Sequence, residues 1–161
     1  MRPARRNTAW LIATWFGVGL IPVAPGTAAS ATALPVAWVI VTATGPLGLA
    51  LATVLAFAVG GWAAGACGAT EVERDPPQVV ADEVAGQWLA LLPAAMLSQP
   101  AFWHYALAFA LFRAADIAKP WPAGWIDRNL PGAPGIMLDD LVAGLYAALG
   151  LGVLVCLAGG C

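Results

Sequence analysis

The chain has 161 residues, of which 61% are hydrophobic and only 10% are charged, and its formal net charge is −2. Ordinary globular proteins are about 45–50% apolar and about 25% charged, so this composition indicates a protein that is embedded in a membrane or lies against one. The weakly acidic balance, without a basic helix, argues against nucleic-acid binding. The length predicts a single domain over residues 1–161.

The N-terminal segment places a basic tail before an apolar run. Residues 1–8 carry Arg2, Arg5 and Arg6, and the run TAWLIATWFGVGLIPVA extends to Ala24. A secretory signal peptide has the same order of features, but glycines and prolines interrupt this run. We therefore favour an uncleaved basic end on the cytoplasmic side, as the positive-inside tendency predicts.

Charge-free apolar stretches along the rest of the chain predict helices. The expected helices are Leu34–Thr44, Leu47–Cys67, Val79–Leu92, Phe102–Ile117 and Leu138–Leu157. The second and the last of these are long enough to cross a bilayer, which needs about 20 residues, and Gly45–Pro46 marks a break between the first two. No strand-like alternation persists. We expect an all-α, compact bundle of about six helices that is membrane-associated or partly membrane-embedded.

The seven basic and nine acidic residues are concentrated in four short clusters, at residues 2–6, 71–83, 113–128 and 139–140. An ionised carboxylate in apolar surroundings is costly unless it is paired or bound to a metal. Gathering the last three clusters around a cation would offset that cost, so we expect them to converge near helix ends.

The segment DPPQVVADEVAGQW, residues 75–88, places Asp82 and Glu83 in the first turns of a predicted helix. The helix dipole favours acids at this position, which is a purely structural explanation for them. Their apolar neighbours Val80, Ala81 and Val84 do not fit an ordinary solvated helix end. We therefore favour a metal-binding or catalytic role for both acids.

The segment FRAADIAKPWP, residues 112–122, combines both signs of charge. Arg113 and Asp116 are three residues apart and share a helix face, and Lys119 follows just before Pro120 ends the helix. A simple surface ion pair has the same spacing. The apolar residues between the charges instead favour a metal-ligand Asp116 flanked by phosphate-binding Arg113 and Lys119.

Two further segments complete the candidate site. In GIMLDDLVAG, Asp139 and Asp140 precede a stretch without charge that runs to Cys161. Consecutive helical residues point about 100° apart, so one acid could bind a metal while the other caps the helix. In FGVGLIPVAPGTAAS, Thr27 and nearby backbone amides could bind an anion at a helix start, although a simple turn also explains this segment.

These four segments, in this order, resemble the phosphatidylglycerophosphatase A family of bacterial lipid phosphatases. The matching pieces are GVGLIPVAPGT, DPPQVVADEVAGQ, FRAADIAKPWP with WIDR, and GIMLDDLVAG, and they span roughly residues 16–149. The resemblance implies Mg²⁺-dependent removal of the terminal phosphate from phosphatidylglycerophosphate, giving phosphatidylglycerol and phosphate. It also implies an active site on the cytoplasmic side of the bacterial inner membrane.

Mg²⁺ prefers hard oxygen ligands, and no cysteine or histidine is placed as a phosphatase nucleophile. We therefore expect Mg²⁺ to polarise the phosphoryl group and to activate a water, with a covalent aspartyl-phosphate route as the alternative. The predicted metal-binding and catalytic residues are Asp82, Glu83, Asp116, Asp139 and Asp140. The predicted phosphate-binding residues are Thr27, Arg113 and Lys119. Asp127 and Arg128 form either a supporting pair or a surface pair.

A small membrane ion transporter or channel is the alternative function, because intramembrane acids can also mark an ion path. A transporter is expected to carry such acids near the middle of its spans. Here the acids lie at predicted helix ends together with Arg113 and Lys119, which favours the phosphatase. The oligomeric state is left open by the sequence.

Overall fold

Six α-helices make up the computed structural model, which describes residues 8–67 and 77–158. They are α1 (Thr8–Ala13), α2 (Pro25–Ala66), α3 (Ala81–Ala95), α4 (Phe102–Ala118), α5 (Ala123–Asn129) and α6 (Ala133–Leu157), with a 3₁₀ turn at Val18–Leu20. No strand occurs within the described ranges. The predicted all-α bundle of about six helices is confirmed, and the three arginines of the basic tail lie outside the described residues.

α2 is a hairpin of two helical arms rather than one straight rod. Gly45 has φ 72° and ψ −170°, which interrupts the helix. With a rise of about 1.5 Å per residue, a straight helix would separate Gly26 from Gly60 by about 50 Å. Instead, both glycines lie against the first turn of α3. The chain therefore reverses at the predicted break, so residues 25–44 form the first arm and residues 46–66 the second arm.

α3 is the central helix of the bundle. It packs against both arms of α2, against α4 and against α6. Its contact with α6 involves the backbones themselves: a Cβ added to Gly144 would collide with the carbonyl oxygen of Gly86, and one added to Gly86 would lie 2.6 Å from the carbonyl oxygen of Asp140. Small residues at a helix crossing allow this close approach. The crossing holds α3 and α6 together at the end where both helices begin.

α2 and α6 begin earlier than the sequence predicts. α6 starts at Ala133 rather than Leu138, and α2 starts at Pro25 rather than Leu34. Each helix has a proline in its first turn, where the missing backbone N–H is not needed for the helix ladder. The apolar pattern places both helix starts too late, at Leu34 and Leu138, whereas the helix start suggested beside Thr27 agrees with the structure. The short helices α1 and α5 are also missed by the apolar pattern.

Large apolar side chains cover much of the outer surface of the bundle. Val54 on the second arm of α2 and Leu149 on α6 are examples, with exposures of 67% and 60%. Soluble monomers rarely expose large contiguous apolar patches, whereas lipid favours them. α2 and α6 are also long and apolar enough to cross a membrane. The protein is therefore membrane-associated, as its composition predicts.

We expect Gly144→Ala to destabilise the bundle, because the added methyl group would force α3 and α6 apart. Overpacking of this kind costs about 1–3 kcal/mol, so the midpoint of thermal unfolding in detergent should fall. Gly152→Ala is the matched control, since it lies on the same helix with open space around the position. Its midpoint should stay unchanged or rise slightly. Equal midpoints for the two variants would contradict the close crossing.

Candidate active site

The charged residues of the predicted site meet at the end of the bundle where α3 and α6 begin and α4 ends. At the centre, Asp82, Glu83 and Asp140 each offer a carboxylate oxygen, and these oxygens lie within 4.8 Å of one another. The crossing of Gly86 and Gly144 explains this proximity, because each glycine lies about one helical turn beyond an acid of its own helix. We call the three acids the acidic cluster.

The carboxyl group of Glu83 is enclosed by the start of α2. A Cβ on Gly26 would collide with Oε1 of Glu83, and Oε2 is buried without a hydrogen-bond partner among the described residues. Burial is the main reason that the pKa of Glu83 is raised to about 7; the nearby charge of Asp116 adds to the rise and a hydrogen bond with Asp82 opposes it. A bound cation would take the place of the proton and offset the free-energy cost of burying the ionised carboxylate.

Asp116 connects the acidic cluster to Arg113. The carboxyl groups of Asp116 and Asp140 lie close enough to share a hydrogen bond when one of them is protonated, and Nη1 of Arg113 lies 2.5 Å from Oδ2 of Asp116. The side chains of this ion pair are only 15% and 13% exposed, so it is not the simple surface pair that its spacing also allowed. Because two ionised carboxylates repel each other, a cation bound beside Asp116 and Asp140 would stabilise their close approach.

Lys119 holds two acids in place at the C-terminal end of α4. Its Nζ donates a hydrogen bond of 2.7 Å to Oδ1 of Asp127 and another of 2.7 Å to Oδ2 of Asp139. Burial opposes the charge on the amine, but these two hydrogen bonds outweigh it and hold the pKa of Lys119 above its usual range. Asp127 therefore supports Lys119, and Lys119 remains a cation at the edge of the site.

Asp139 and Asp140 point toward different partners, as their spacing along a helix predicts. Asp139 pairs with Lys119 and accepts a hydrogen bond of 3.0 Å from the backbone N–H of Asp140, whereas Asp140 joins the acidic cluster. The expectation that one of the two acids caps the helix is wrong, because α6 begins at Ala133 and no side chain caps it. Asp139 as a metal ligand stays a prediction.

The start of α2 forms another side of the site. A Cβ on Gly26 would lie 3.4 Å from Nη1 of Arg113, in addition to its collision with Glu83, so glycine alone leaves room here. Thr27 follows in the same turn and is half-buried. The backbone N–H groups of this turn carry the positive end of the helix dipole. A phosphate-binding role of Thr27 stays a prediction.

The acidic cluster suits a hard cation. All of its ligand atoms are carboxylate oxygens, and neither Oε2 of Glu83 nor Oδ2 of Asp140 has a hydrogen-bond partner in the described part of the chain. Mg²⁺ is usually bound by one or two carboxylates together with water and phosphate oxygens. The residues present therefore fit a magnesium site.

The sequence model of the family described as Phosphatidylglycerophosphatase A matches residues 11–155. The chain is 36% identical to phosphatidylglycerophosphatase A of Escherichia coli (strain K12) over 145 residues. This alignment covers 89% of this chain and 82% of the E. coli protein. The chain belongs to the phosphatidylglycerophosphatase A family. The resemblance carried by the four sequence segments is confirmed.

Other proteins similar to this family member match over comparable lengths. Phosphatidylglycerophosphatase A of Haemophilus influenzae is 35% identical over 144 residues, 89% of this chain and 86% of that protein. A Bacteroides thetaiotaomicron protein provisionally named phosphatidylinositol-3-phosphatase is 38% identical over 141 residues, 85% of this chain and 87% of that protein. No solved structure matches the chain significantly.

Gln87 is a candidate site residue of this family member that the sequence reasoning misses. It lies one helical turn beyond Glu83 on α3 and is fully buried, and neither polar atom of its amide has a hydrogen-bond partner among the described residues. A buried amide without partners is costly, so we expect it to contact water or a ligand at the site. The available signal is a polar residue four positions after Glu83 in an uncharged stretch.

We expect the metal-free protein to lose stability as the pH rises from about 4.5 to about 7. The unfolded chain releases the Glu83 proton near pH 4.5, whereas the folded chain releases it only near pH 7. The unfolded state therefore binds fewer protons in this window, and rising pH favours it. Thermal unfolding in detergent with a chelator, measured across this pH range, tests the effect.

Glu83→Gln is the matched variant for this measurement, because its amide has a similar shape and does not ionise. Its unfolding midpoint should fall less steeply with pH than that of the wild type. Equally steep curves for the two proteins would contradict the assignment of this pH dependence to Glu83.

Proposed function

We propose that this family member hydrolyses the terminal phosphomonoester of phosphatidylglycerophosphate to phosphatidylglycerol and inorganic phosphate, with Mg²⁺ as cofactor. The observation that carries the proposal is the acidic cluster, whose three carboxylate oxygens lie within 4.8 Å at one end of an apolar bundle. The names of the E. coli and H. influenzae relatives support this substrate. Phosphate monoesters hydrolyse extremely slowly in water, so the reaction requires such a concentration of charged groups.

In this proposal Asp82, Glu83 and Asp140 would hold the Mg²⁺, and the carboxyl group of Asp116 lies beside that of Asp140. Bound there, the ion supplies positive charge that polarises the phosphoryl group and makes a water more acidic. Gln87 would orient water beside the cluster, which would satisfy its buried amide.

Arg113 is the best-placed residue for binding phosphate oxygens. Its Nε is buried without a hydrogen-bond partner among the described residues, and its ion pair with Asp116 fixes the guanidinium group beside Gly26. Guanidinium groups bind phosphate through parallel hydrogen bonds. Lys119 adds positive charge from a more exposed position, and Thr27 with the amides of its turn would complete the anion site.

Water is the proposed nucleophile. Its oxygen forms the new bond to phosphorus while the bond from phosphorus to the glycerol oxygen breaks. A carboxylate takes the proton from the water, and the departing oxygen gains a proton to become the hydroxyl group of phosphatidylglycerol. An aspartyl-phosphate route is the alternative, and a phosphorylated protein trapped by acid quenching would identify it.

We place the protein in the bacterial inner membrane, with the acidic cluster on the cytoplasmic side. The cluster lies at one end of helices that are long enough to cross a membrane, rather than near their middle. Arg2, Arg5 and Arg6 favour a cytoplasmic location for the N-terminal end by the positive-inside tendency. The same placement of the acids, together with Arg113, argues against an ion transporter.

The purified protein should release phosphate from phosphatidylglycerophosphate in detergent, and a chelator should abolish the release until Mg²⁺ is restored. Asp82→Asn and Asp140→Asn should each lower kcat/KM at least about 100-fold, because each removes a charged ligand from the acidic cluster. Asp127→Asn removes a partner of Lys119 instead and should cost about tenfold. Full activity in correctly folded Asp82→Asn and Asp140→Asn variants would rule out this mechanism.

The Bacteroides relative points to a second candidate substrate, a phosphatidylinositol 3-phosphate, which carries the same kind of phosphomonoester. We expect kcat/KM for phosphatidylglycerophosphate to be at least about tenfold higher, since a narrow glycerol arm reaches the buried cluster beside Gly26 more easily than a six-membered ring. Parallel phosphate-release assays on the two lipids measure this ratio. The opposite ratio would assign the protein to the second substrate.

A further inference from the structure

An apolar cavity of about 280 Å³ lies beside the acidic cluster. Its walls come from the N-terminal segment before the 3₁₀ turn, the second arm of α2 and the first two turns of α3. The lining residues include Trp15, Phe16, Ala56, Ala81, Val84 and Trp88. None of the described residues that line the cavity is charged, so the cavity suits an apolar occupant.

The apolar cavity and the acidic cluster share a wall. Ala81 and Val84 line the cavity, and Asp82 and Glu83 lie between them in the first turn of α3. Consecutive helical residues point about 100° apart, so the cavity and the acidic cluster lie on different sides of this turn, and a molecule with an anionic group and an apolar chain would occupy both by passing around the start of α3. A free phosphate ion or a small sugar phosphate would use only the acidic cluster.

The rim of the cavity is continuous with the apolar outer surface. Phe16 and Leu55 line the cavity, yet they are also 67% and 63% exposed on the outside of the bundle. Both side chains belong to the surface that we expect to face lipid. The cavity is therefore accessible from the hydrocarbon region, where the apolar part of a membrane lipid lies.

Two aromatic residues line the cavity in an unfavourable backbone conformation. Trp15 and Phe16 have φ angles of 47° and 56°, in the left-handed region that residues other than glycine rarely adopt. The ring of Trp15 packs edge-on against Trp88 at 5.8 Å, and Nε1 of Trp88 donates a hydrogen bond of 3.0 Å to the carbonyl oxygen of Ala33. Such strain clusters at ligand-binding sites, where it fixes a shape in advance.

We propose that the apolar cavity binds an acyl chain of the same phospholipid whose terminal phosphate lies at the acidic cluster. This inference rests on the proposed function and adds the part of the substrate that distinguishes a lipid from a water-soluble phosphate ester. An acyl chain in the cavity removes apolar surface from both chain and walls, which favours binding in proportion to the area buried.

The test compares diacyl phosphatidylglycerophosphate with its deacylated, water-soluble counterpart, both assayed with the full-length protein in detergent. Ala56→Phe would fill the cavity, whereas Ala58→Phe places the same side chain on the exposed side of the same arm. Ala56→Phe should lower kcat/KM for the diacyl lipid at least about tenfold, equivalent to roughly two methylene groups no longer buried. It should leave the deacylated substrate unaffected, and Ala58→Phe should change neither.

The outcomes separate the two levels of the proposal. If the wild type hydrolyses the diacyl lipid and Ala56→Phe does so equally well, the cavity does not bind the acyl chain, although the proposed function stands. If the wild type hydrolyses neither compound, the proposed function fails, and this inference fails with it.

A crosslinking experiment on the wild type tests the cavity without any variant that could misfold. The probe is diacyl phosphatidylglycerophosphate with a diazirine in one acyl chain, and mass spectrometry locates the attachment. Crosslinks to Trp15, Val84 or Trp88 support the inference. Crosslinks confined to other residues, or equal labelling of these three by a phosphatidylcholine with the same diazirine chain, overturn it.

Discussion

The contact between Gly86 and Gly144 determines where the chemistry can take place. These glycines let α3 and α6 approach until their backbones touch, and each lies about one turn beyond an acid of the cluster. A larger side chain at either position would separate Glu83 from Asp140. Farther along the same pair of helices, Leu91 and Leu151 are fully buried in the same apolar core. The site is thus positioned by regular helices, which hold side chains more accurately than loops do.

This crossing also concentrates negative charge, and the bundle divides the acids into two groups. Asp116, Asp127 and Asp139 form ion pairs with Arg113 or Lys119. These pairs keep the two cations in place, and each is at least partly shielded from water. Glu83 and Asp140, in contrast, form no ion pair with a described basic residue. The paired acids therefore position the groups that attract phosphate, and the cluster is left to attract a cation.

The sequence predicts the all-α class and most residues of the site, because charged residues are few in so apolar a chain and are confined to short segments. Asp82, Asp116 and Asp140 are examples, and each lies where its segment suggests. The apolar pattern alone could not place the starts of α2 and α6, since a proline in the first turn of a helix and a proline in a turn share the same local pattern.

The direction in which each acidic side chain points depends on how the helices pack against one another. Whether Asp139 or Asp140 faces the cluster depends on the rotation of α6 about its axis, which the contact at Gly144 sets. Gln87 was missed for a related reason, because the one-letter code does not distinguish a buried amide from an exposed one. Local sequence therefore names the chemical groups of this site, while the contacts between helices decide which of them meet.

The reversal at Gly45 gives α2 two arms of nearly equal length, residues 25–44 and residues 46–66. Each arm is about 30 Å long, close to the hydrocarbon thickness of a typical bilayer. A mismatch between helix and bilayer is commonly relieved by tilting. The first arm begins beside Glu83 and the second arm contacts the start of α3 at Ala81, so tilting the bundle would move the carboxylates relative to the plane of the lipid phosphates. In the proposed membrane arrangement, bilayer thickness thus becomes a physical variable that sets how far a headgroup must move to reach the site.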